Sequence, residues 1–204
     1  MRAINSLSLR LFSVLFALVA VSAHAHDAHS HDAHTEPAWG PKLGTSLPAD
    51  LMVKTHEGEK VSLKDLVGDH GLAIAFVRSA DWCPFCKRQI IELNKSEEEF
   101  SKRGFNLVSL SYDSVDILKT FAEEQGINYT LVSDEKSSVI DAFGIRNEEH
   151  EKGSSGYGIP HPGIMVFDGR GRLVAKFAEE GYRKRPPVED VLSAVEKLNV
   201  GYSR

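Results

Sequence analysis

The apolar positions form short runs separated by polar, glycine-containing breaks, and their period changes along the chain. Residues 51–54 and 60–63 flank the stretch HEGE, where Gly58 is placed for a turn, and the pair predicts a hairpin. Residues 72–77, LAIAFV, are an unbroken apolar run of strand length, the pattern of a strand covered on both faces. From Cys83 to Arg103 the period becomes helical, with Ile90, Leu93, Glu97 and Phe100 at three-four spacing and Gly104 as a stop. A strand is expected over 105–112, then a helix over 115–125 (Ile117, Leu118, Phe121) ended by Gly126. Residues 129–133 read as a short strand and 137–143 as a short helix ending at Gly144. The stretch 147–157, NEEHEKGSSGY, has no apolar period and reads as a surface loop. Residues 163–167 and 173–177 are strands joined by the turn sequence DGRGR. An amphipathic helix over 188–198, opened by Pro186 and Pro187, closes the series.

Strand and helix alternating in this way imply a largely parallel sheet with helices on both faces, and the late hairpin adds antiparallel strands. The expected class is a mixed α/β sandwich. Its core domain begins near Leu43 and runs to Arg204.

The start of the chain follows different rules. Arg2 and Arg10 precede the apolar run LFSVLFALVAV, and Ser22, Ala23, His24 and Ala25 follow with small residues spaced as at a cleavage site. The apolar run is shorter than the roughly 20 residues a spanning helix needs, so 1–25 reads as a cleavable export signal. Cleavage is expected after Ala25, or else after Ala23. No cysteine is near the junction to carry a lipid. The mature protein is thus expected outside the cytoplasm, in a periplasm or its equivalent, touching membrane only through the export signal. Disulfides form and persist in such compartments.

Residues 26–34, HDAHSHDAH, repeat histidine without an apolar face, and the flexible, His-rich lead-in is expected to continue to Lys42. His26, His29, His31 and His34 are weak metal-ligand candidates in a floppy chelate. Cleavage after Ala23 would place His26 third from the new end, a position suited to square-planar Cu(II) or Ni(II).

Of the 204 residues, 42% are hydrophobic and 26% charged, with a net charge of −5. Mixed charge of that size provides no basic footprint for nucleic acid. Nothing in the sequence asks for a cofactor.

The only two cysteines, Cys83 and Cys86, stand in WCPFCK, where the buried strand gives way to the helix. Helix N-terminal N–H groups and the macrodipole favour an anion there, so Cys83 is the candidate attacking thiolate, at an exposed position. Cys86, one turn on and pointing inward, is the candidate resolving thiol. Pro84 suits a first helical turn because its missing N–H costs nothing there. A structural disulfide would constrain little across two residues, and a zinc site needs about four ligands. Redox chemistry remains.

The motif WCPFCK after an apolar strand resembles the active site of the thioredoxin superfamily, and GIPHPGIMVFDGRGRL is similar to that fold's cis-proline segment. With LSYDS and LVSDEKSSVIDAFGI, the chain from about residue 43 to 198 resembles the redoxin branch, the alkyl hydroperoxide reductase/thiol-specific antioxidant (peroxiredoxin-like) family. The resemblance implies a thioredoxin-like three-layer sandwich. It places Trp82, Cys83, Pro84, Phe85, Cys86 and Lys87 at the active site, makes Pro162 the cis-proline, and so brings His161 beside the Cys83 sulfur. Two departures accompany it. Val77 stands where thioredoxins bury an acid. In the peroxiredoxin Pro-x-x-x-Thr-x-x-Cys pattern, Cys86 takes the peroxidatic place, Cys83 that of the threonine and Ser79 that of the proline. His161, Pro162 and Gly163 stand where the family's arginine would be sought, leaving Arg78 or Arg146 as possible substitutes.

On this reading the main expectation is thiol–disulfide exchange with protein or small-molecule substrates, cycled by a separate reducing or oxidising partner. Hydroperoxide reduction is the alternative, with one cysteine oxidised to a sulfenic acid that the other condenses with. A further alternative is a Cu or Zn carrier using Cys83, Cys86 and His161. Trp82 and Phe85 are expected to form an apolar collar around the sulfur.

Overall fold

The computed structural model describes residues 38–202, so the export-like segment and the histidine tract lie outside the described residues. Seven strands, β1 (Met52–Thr55), β2 (Lys60–Ser62), β3 (Gly71–Phe76), β4 (Phe105–Ser111), β5 (Thr130–Ser133), β6 (Gly163–Asp168) and β7 (Leu173–Ala178), form one sheet in the order β2-β1-β5-β4-β3-β6-β7. The β3–β4 and β4–β5 pairs are parallel and the remaining pairs antiparallel. Helices α1 (Pro84–Ser101), α2 (Val115–Gln125), α3 (Ser138–Ala142) and α4 (Val188–Tyr202) complete the fold.

β3 sits between β4 and β6, and all six of its residues are buried. Alternate side chains along a strand point to opposite faces, so Ala73 and Ala75 go one way and Leu72, Ile74 and Phe76 the other. On the alanine side they pack with Ile90, Leu93 and Phe100 of α1, Leu118 and Phe121 of α2, and Val191 and Val195 of α4. The larger residues meet Val139 and Ile140 of α3, Leu47, Leu63 and Phe143. Small β3 residues leave room for three helices on one face, and large ones fill the thinner cover of the other. The expected mixed sandwich with helices on both faces is the observed architecture.

Local signals explain the boundaries. Ser114 caps α2 by accepting from the Ile117 N–H, and Gly126 ends it in the left-handed conformation that glycine adopts at little cost. At the β6–β7 turn, one Asp168 side-chain oxygen accepts from the N–H groups of Arg170 and Arg172. No helix among the described residues is long and apolar enough to cross a membrane.

One expectation is corrected at the start of the domain. The flexible lead-in was expected to reach Lys42, yet Trp39 packs edge-on against Phe76 at 6.0 Å and its indole N–H donates to the His161 carbonyl. The Lys176 ammonium also donates to the carbonyls of Trp39 and Pro41. A single large aromatic anchors a polar segment that has no periodicity of its own.

Candidate active site

The site is built where β3 ends. Val77 continues the strand by donating to the Leu110 carbonyl, and the chain then turns through residues 78–82 into α1. The turn is held from beneath by Asp113, just after β4. Its carboxylate accepts from the Ser79 hydroxyl (2.8 Å), the Ala80 N–H (2.7 Å) and the Ser111 hydroxyl (2.7 Å). Ser79 in turn accepts from the N–H groups of Asp81 and Trp82. Burial pushes the Asp113 carboxyl above the usual carboxylate range, against the pull of these three donors.

Cys83 is the N-cap of α1 and Pro84 opens its first turn, as the sequence predicts. The Cys83 sulfur accepts from the Cys86 N–H at 3.3 Å, and the Cys83 carbonyl accepts from the N–H groups of Cys86 and Lys87. Cys83 and Cys86 are joined as a disulfide with Cα atoms 5.2 Å apart, a span ordinary for such a bond.

Both sulfurs are covered: Cys83 is 1% exposed and Cys86 0%. The expectation of an exposed Cys83 is therefore corrected, and the cause lies 99 residues after Cys86. The segment 179–187, between β7 and α4, folds over the start of α1. Tyr182 meets Phe85 edge-on at 6.0 Å, and the Arg78 guanidinium lies 4.4 Å from the Tyr182 ring centre and 4.8 Å from that of Trp82. Arg88 lies over Phe85, and Arg183 over Tyr182. Trp82 itself is 41% exposed, and its indole donates to the Tyr112 hydroxyl, which donates to the Ser155 carbonyl. The expected apolar collar is thus a mixed ring of aromatics and arginines, with Tyr182 as a member the sequence reading omitted.

Arg185 is the innermost cation. Its guanidinium donates to the Gln89 side-chain oxygen (2.6 Å), to the carbonyls of Tyr182 and Lys184, and to the Cys86 sulfur (3.3 Å). Burial, and then repulsion from Arg78 and Arg88, lowers its pKa to about 10. None of Arg78, Arg88, Arg183 and Arg185 is ion-paired with a carboxylate among the described residues. Of the arginines considered as substitutes, Arg78 stacks in the ring of aromatics, whereas Arg146 is committed to Asp141 through two 2.5 Å contacts. The arginine at the sulfur is neither of them.

Two expectations drawn from the resemblance are corrected around β6. The His161–Pro162 peptide is trans, since the described residues contain no cis peptide bond. The backbone explains it. Asn147 donates to the Ile159 carbonyl and His161 to the Ile145 carbonyl, so this segment is paired and runs extended into β6. The His161 side chain is exposed and its backbone is taken by Ile145 and Trp39, so Arg185 and not His161 is the cation found at the sulfurs. Among the described residues no three of His, Cys, Asp and Glu gather as a metal site, so the Cys83–Cys86–His161 ligand set is not assembled.

A disulfide bridging the first turn of a helix that starts at the end of a central strand, in a thioredoxin-like sheet, defines a thiol-based oxidoreductase. Comparison with known proteins places it further: residues 43–176 match the AhpC/TSA family, and the chain belongs to that family. It is 31% identical over 117 residues to peroxiredoxin Bcp of Escherichia coli, covering 57% of this chain and 73% of that protein. Among solved structures, the bacterioferritin comigratory protein of Xanthomonas campestris, described for its alkyl peroxide reduction activity, aligns with a TM-score of 0.66 at 25% identity. That alignment covers 78% of this chain and 99% of the other. Peroxidoxin BcpB of Mycobacterium tuberculosis shares the fold at a TM-score of 0.66 and 22% identity, over 76% of this chain and 97% of that one. The family match ends at residue 176, before the segment that carries Tyr182 and Arg185.

Proposed function

We propose that the protein reduces hydroperoxides, cycling Cys83 and Cys86 between dithiol and disulfide. The observation that carries this reading is the Cys83–Cys86 bond inside a family whose relatives are peroxiredoxins. A thiolate attacks the peroxide, an S–O bond forms as the O–O bond breaks, and the departing alkoxide takes a proton to leave as alcohol. The second thiol attacks the resulting sulfenic acid, the S–S bond forms and water leaves. Two electrons and two protons from an external thiol reductant restore the dithiol.

Stopped-flow oxidation of the reduced protein by hydrogen peroxide and by an organic hydroperoxide tests this reading. Rapid, stoichiometric conversion to the Cys83–Cys86 disulfide is expected. Slow oxidation alongside rapid reduction of insulin would instead favour thiol–disulfide exchange with protein substrates, the reading that the Cys-x-x-Cys spacing supports. Export is a separate proposal, resting on the basic–apolar–small pattern of residues 1–25. Mass spectrometry of protein from its own host should find a mature start at His26 or at His24.

A further inference from the structure

We propose that Arg78, Arg88, Arg183 and Lys184 form a recognition site for the reductant of the disulfide. Its class is a small thiol that carries carboxylates beside its sulfur. The inference rests on the dithiol–disulfide cycle proposed above and names the chemistry that closes it. The cations surround the oxidised pair, which is the state that a reductant meets. The whole chain has a net charge of −5, yet none of these four is ion-paired with a carboxylate among the described residues.

Their geometry suits a carboxylate. Arg88 lies over the Phe85 ring, Arg183 over Tyr182, and Arg78 against both Tyr182 and Trp82. A guanidinium stacked by its face keeps its N–H edge for a partner, and that fork matches a carboxylate. The buried Nε of Arg78 has no acceptor among the described residues, so one donor stands unmatched. Arg88, Arg183 and Lys184 are exposed, and an anion can approach them without being buried. Acids are present but do not neutralise the ring. Glu149 acts on Arg78, Asp81 lies in the turn, and Glu179 and Glu180 begin the 179–187 segment. None of them reaches one of the four cations at ion-pair distance.

Burial sets the size of the reductant. The sulfurs are 1% and 0% exposed beneath the ring, so a slender thiol can pass between side chains where a protein would displace the whole segment. One thiolate attacks a sulfur of the pair. An S–S bond to the reductant forms as the Cys83–Cys86 bond breaks, and the other cysteine leaves as thiolate. A second thiolate attacks the reductant's sulfur in this mixed disulfide, releasing the reductant's own disulfide and the second cysteine thiolate. Two thiols are oxidised, two electrons reach the protein, and its thiolates take protons from solvent.

The test reduces the oxidised full chain with mercaptosuccinate, 3-mercaptopropionate, 2-mercaptoethanol and cysteamine, a series running from dianionic through neutral to cationic. Each rate is taken per thiolate and divided by the same thiol's rate with bis(2-hydroxyethyl) disulfide, which removes intrinsic reactivity. Mercaptosuccinate should exceed 2-mercaptoethanol by about tenfold or more, the low end of electrostatic focusing, and cysteamine should be slowest. Salt at about 1 M, where the screening length is about 3 Å, should remove most of that ratio. Arg88→Gln and Arg183→Gln should each lower the ratio by about twofold or more, as expected of exposed ion pairs. Lys136→Gln, before α3 on the other face of the sheet, should leave it unchanged. Rates that ignore the charge of the thiol would overturn the proposal, as would a preference that survives Arg88→Gln combined with Arg183→Gln. Salt-sensitive reduction by a thioredoxin, at a rate that no small thiol approaches, would overturn it in favour of a protein partner. No peroxide enters the measurement, so its outcome is independent of whether peroxide is the substrate.

Discussion

Tyr182 stands edge-on to Phe85 with ring centres 6.0 Å apart, and this contact ties the segment before α4 to the first turn of α1. Together with the Arg78 stack it keeps the disulfide under cover. Such an aromatic pair contributes about 0.5–1.5 kcal/mol beyond its buried area, too little to hold the fold but enough to bias one segment. Tyr182→Ala should therefore change the thermal midpoint little, yet speed reduction of the Cys83–Cys86 bond by dithiothreitol several-fold. An unchanged reduction rate would show that this segment does not limit access.

Asp113 gives a prediction with a defined sign. Its carboxyl is raised by burial in the folded state, whereas an unfolded aspartate titrates near 3.9. The folded protein therefore binds the proton more readily. Its contribution to stability is full below about 3.9 and is lost as pH rises through the folded value. Asp113→Asn cannot titrate and has one acceptor fewer for Ser79, Ala80 and Ser111, a loss of about 1–3 kcal/mol for a donor left unpaired. The gap in thermal midpoint between wild type and variant should widen as pH falls from 7 towards 4. A gap that narrows on acidification would contradict the assignment.

Most of this fold is legible because its signals are local. The LAIAFV run, the Ser114 and Gly126 caps of α2, and the Cys83–Pro84 start of α1 each act within a few residues. The cysteine pair was legible for the same reason. What surrounds it was not. Asp113 reaches Ser79 across 34 residues and Arg185 reaches Cys86 across 99, and such contacts leave no period in the sequence. The one available sign was GYRKRPP, a run of cations and an aromatic beside two prolines, of which only Pro186 and Pro187 enter the sequence-based expectation, as a helix opening. Pro162 misled because its neighbours resemble a cis-proline segment, while the pairing of Ile159 and His161 that extends the chain is long-range.

Gly163 tests the packing that carries Trp39. A Cβ there would lie 2.8 Å from the Phe177 carbonyl and 2.6 Å from the Trp39 ring. The carbonyl belongs to the neighbouring strand and cannot give way as a side-chain tip would. Gly163→Ala should destabilise by about 1–3 kcal/mol in denaturant titration, the usual range for overpacking. Adding Trp39→Ala should relieve only the ring clash, so the double variant should be less destabilised than the two single changes summed. Strict additivity would mean that the two residues do not press on one another.

Single-cysteine variants separate the roles of the two sulfurs. If Cys86 attacks peroxide and Cys83 resolves, Cys83→Ser removes only the second step. Its reduced form should consume one equivalent of peroxide at close to the wild-type rate, then stop as a sulfenic acid on Cys86 that dimedone traps. Cys86→Ser leaves a thiol at the N-cap without the Arg185 contact, so its oxidation should be slower by orders of magnitude. Arg185→Gln should fall between them. Losing one pre-organised donor at a site of developing charge typically costs about 10²–10³ in rate, and the charge on the nucleophile would be less stabilised as well. Disulfide exchange predicts the reverse asymmetry, with Cys86→Ser trapping a mixed disulfide between Cys83 and a protein substrate. Stopped-flow oxidation followed by intact-mass analysis reads both outcomes on the same samples. Fast oxidation of Cys86→Ser, with the sulfenic acid on Cys83, would return the attacking role to the helix cap and leave Arg185 without a catalytic one.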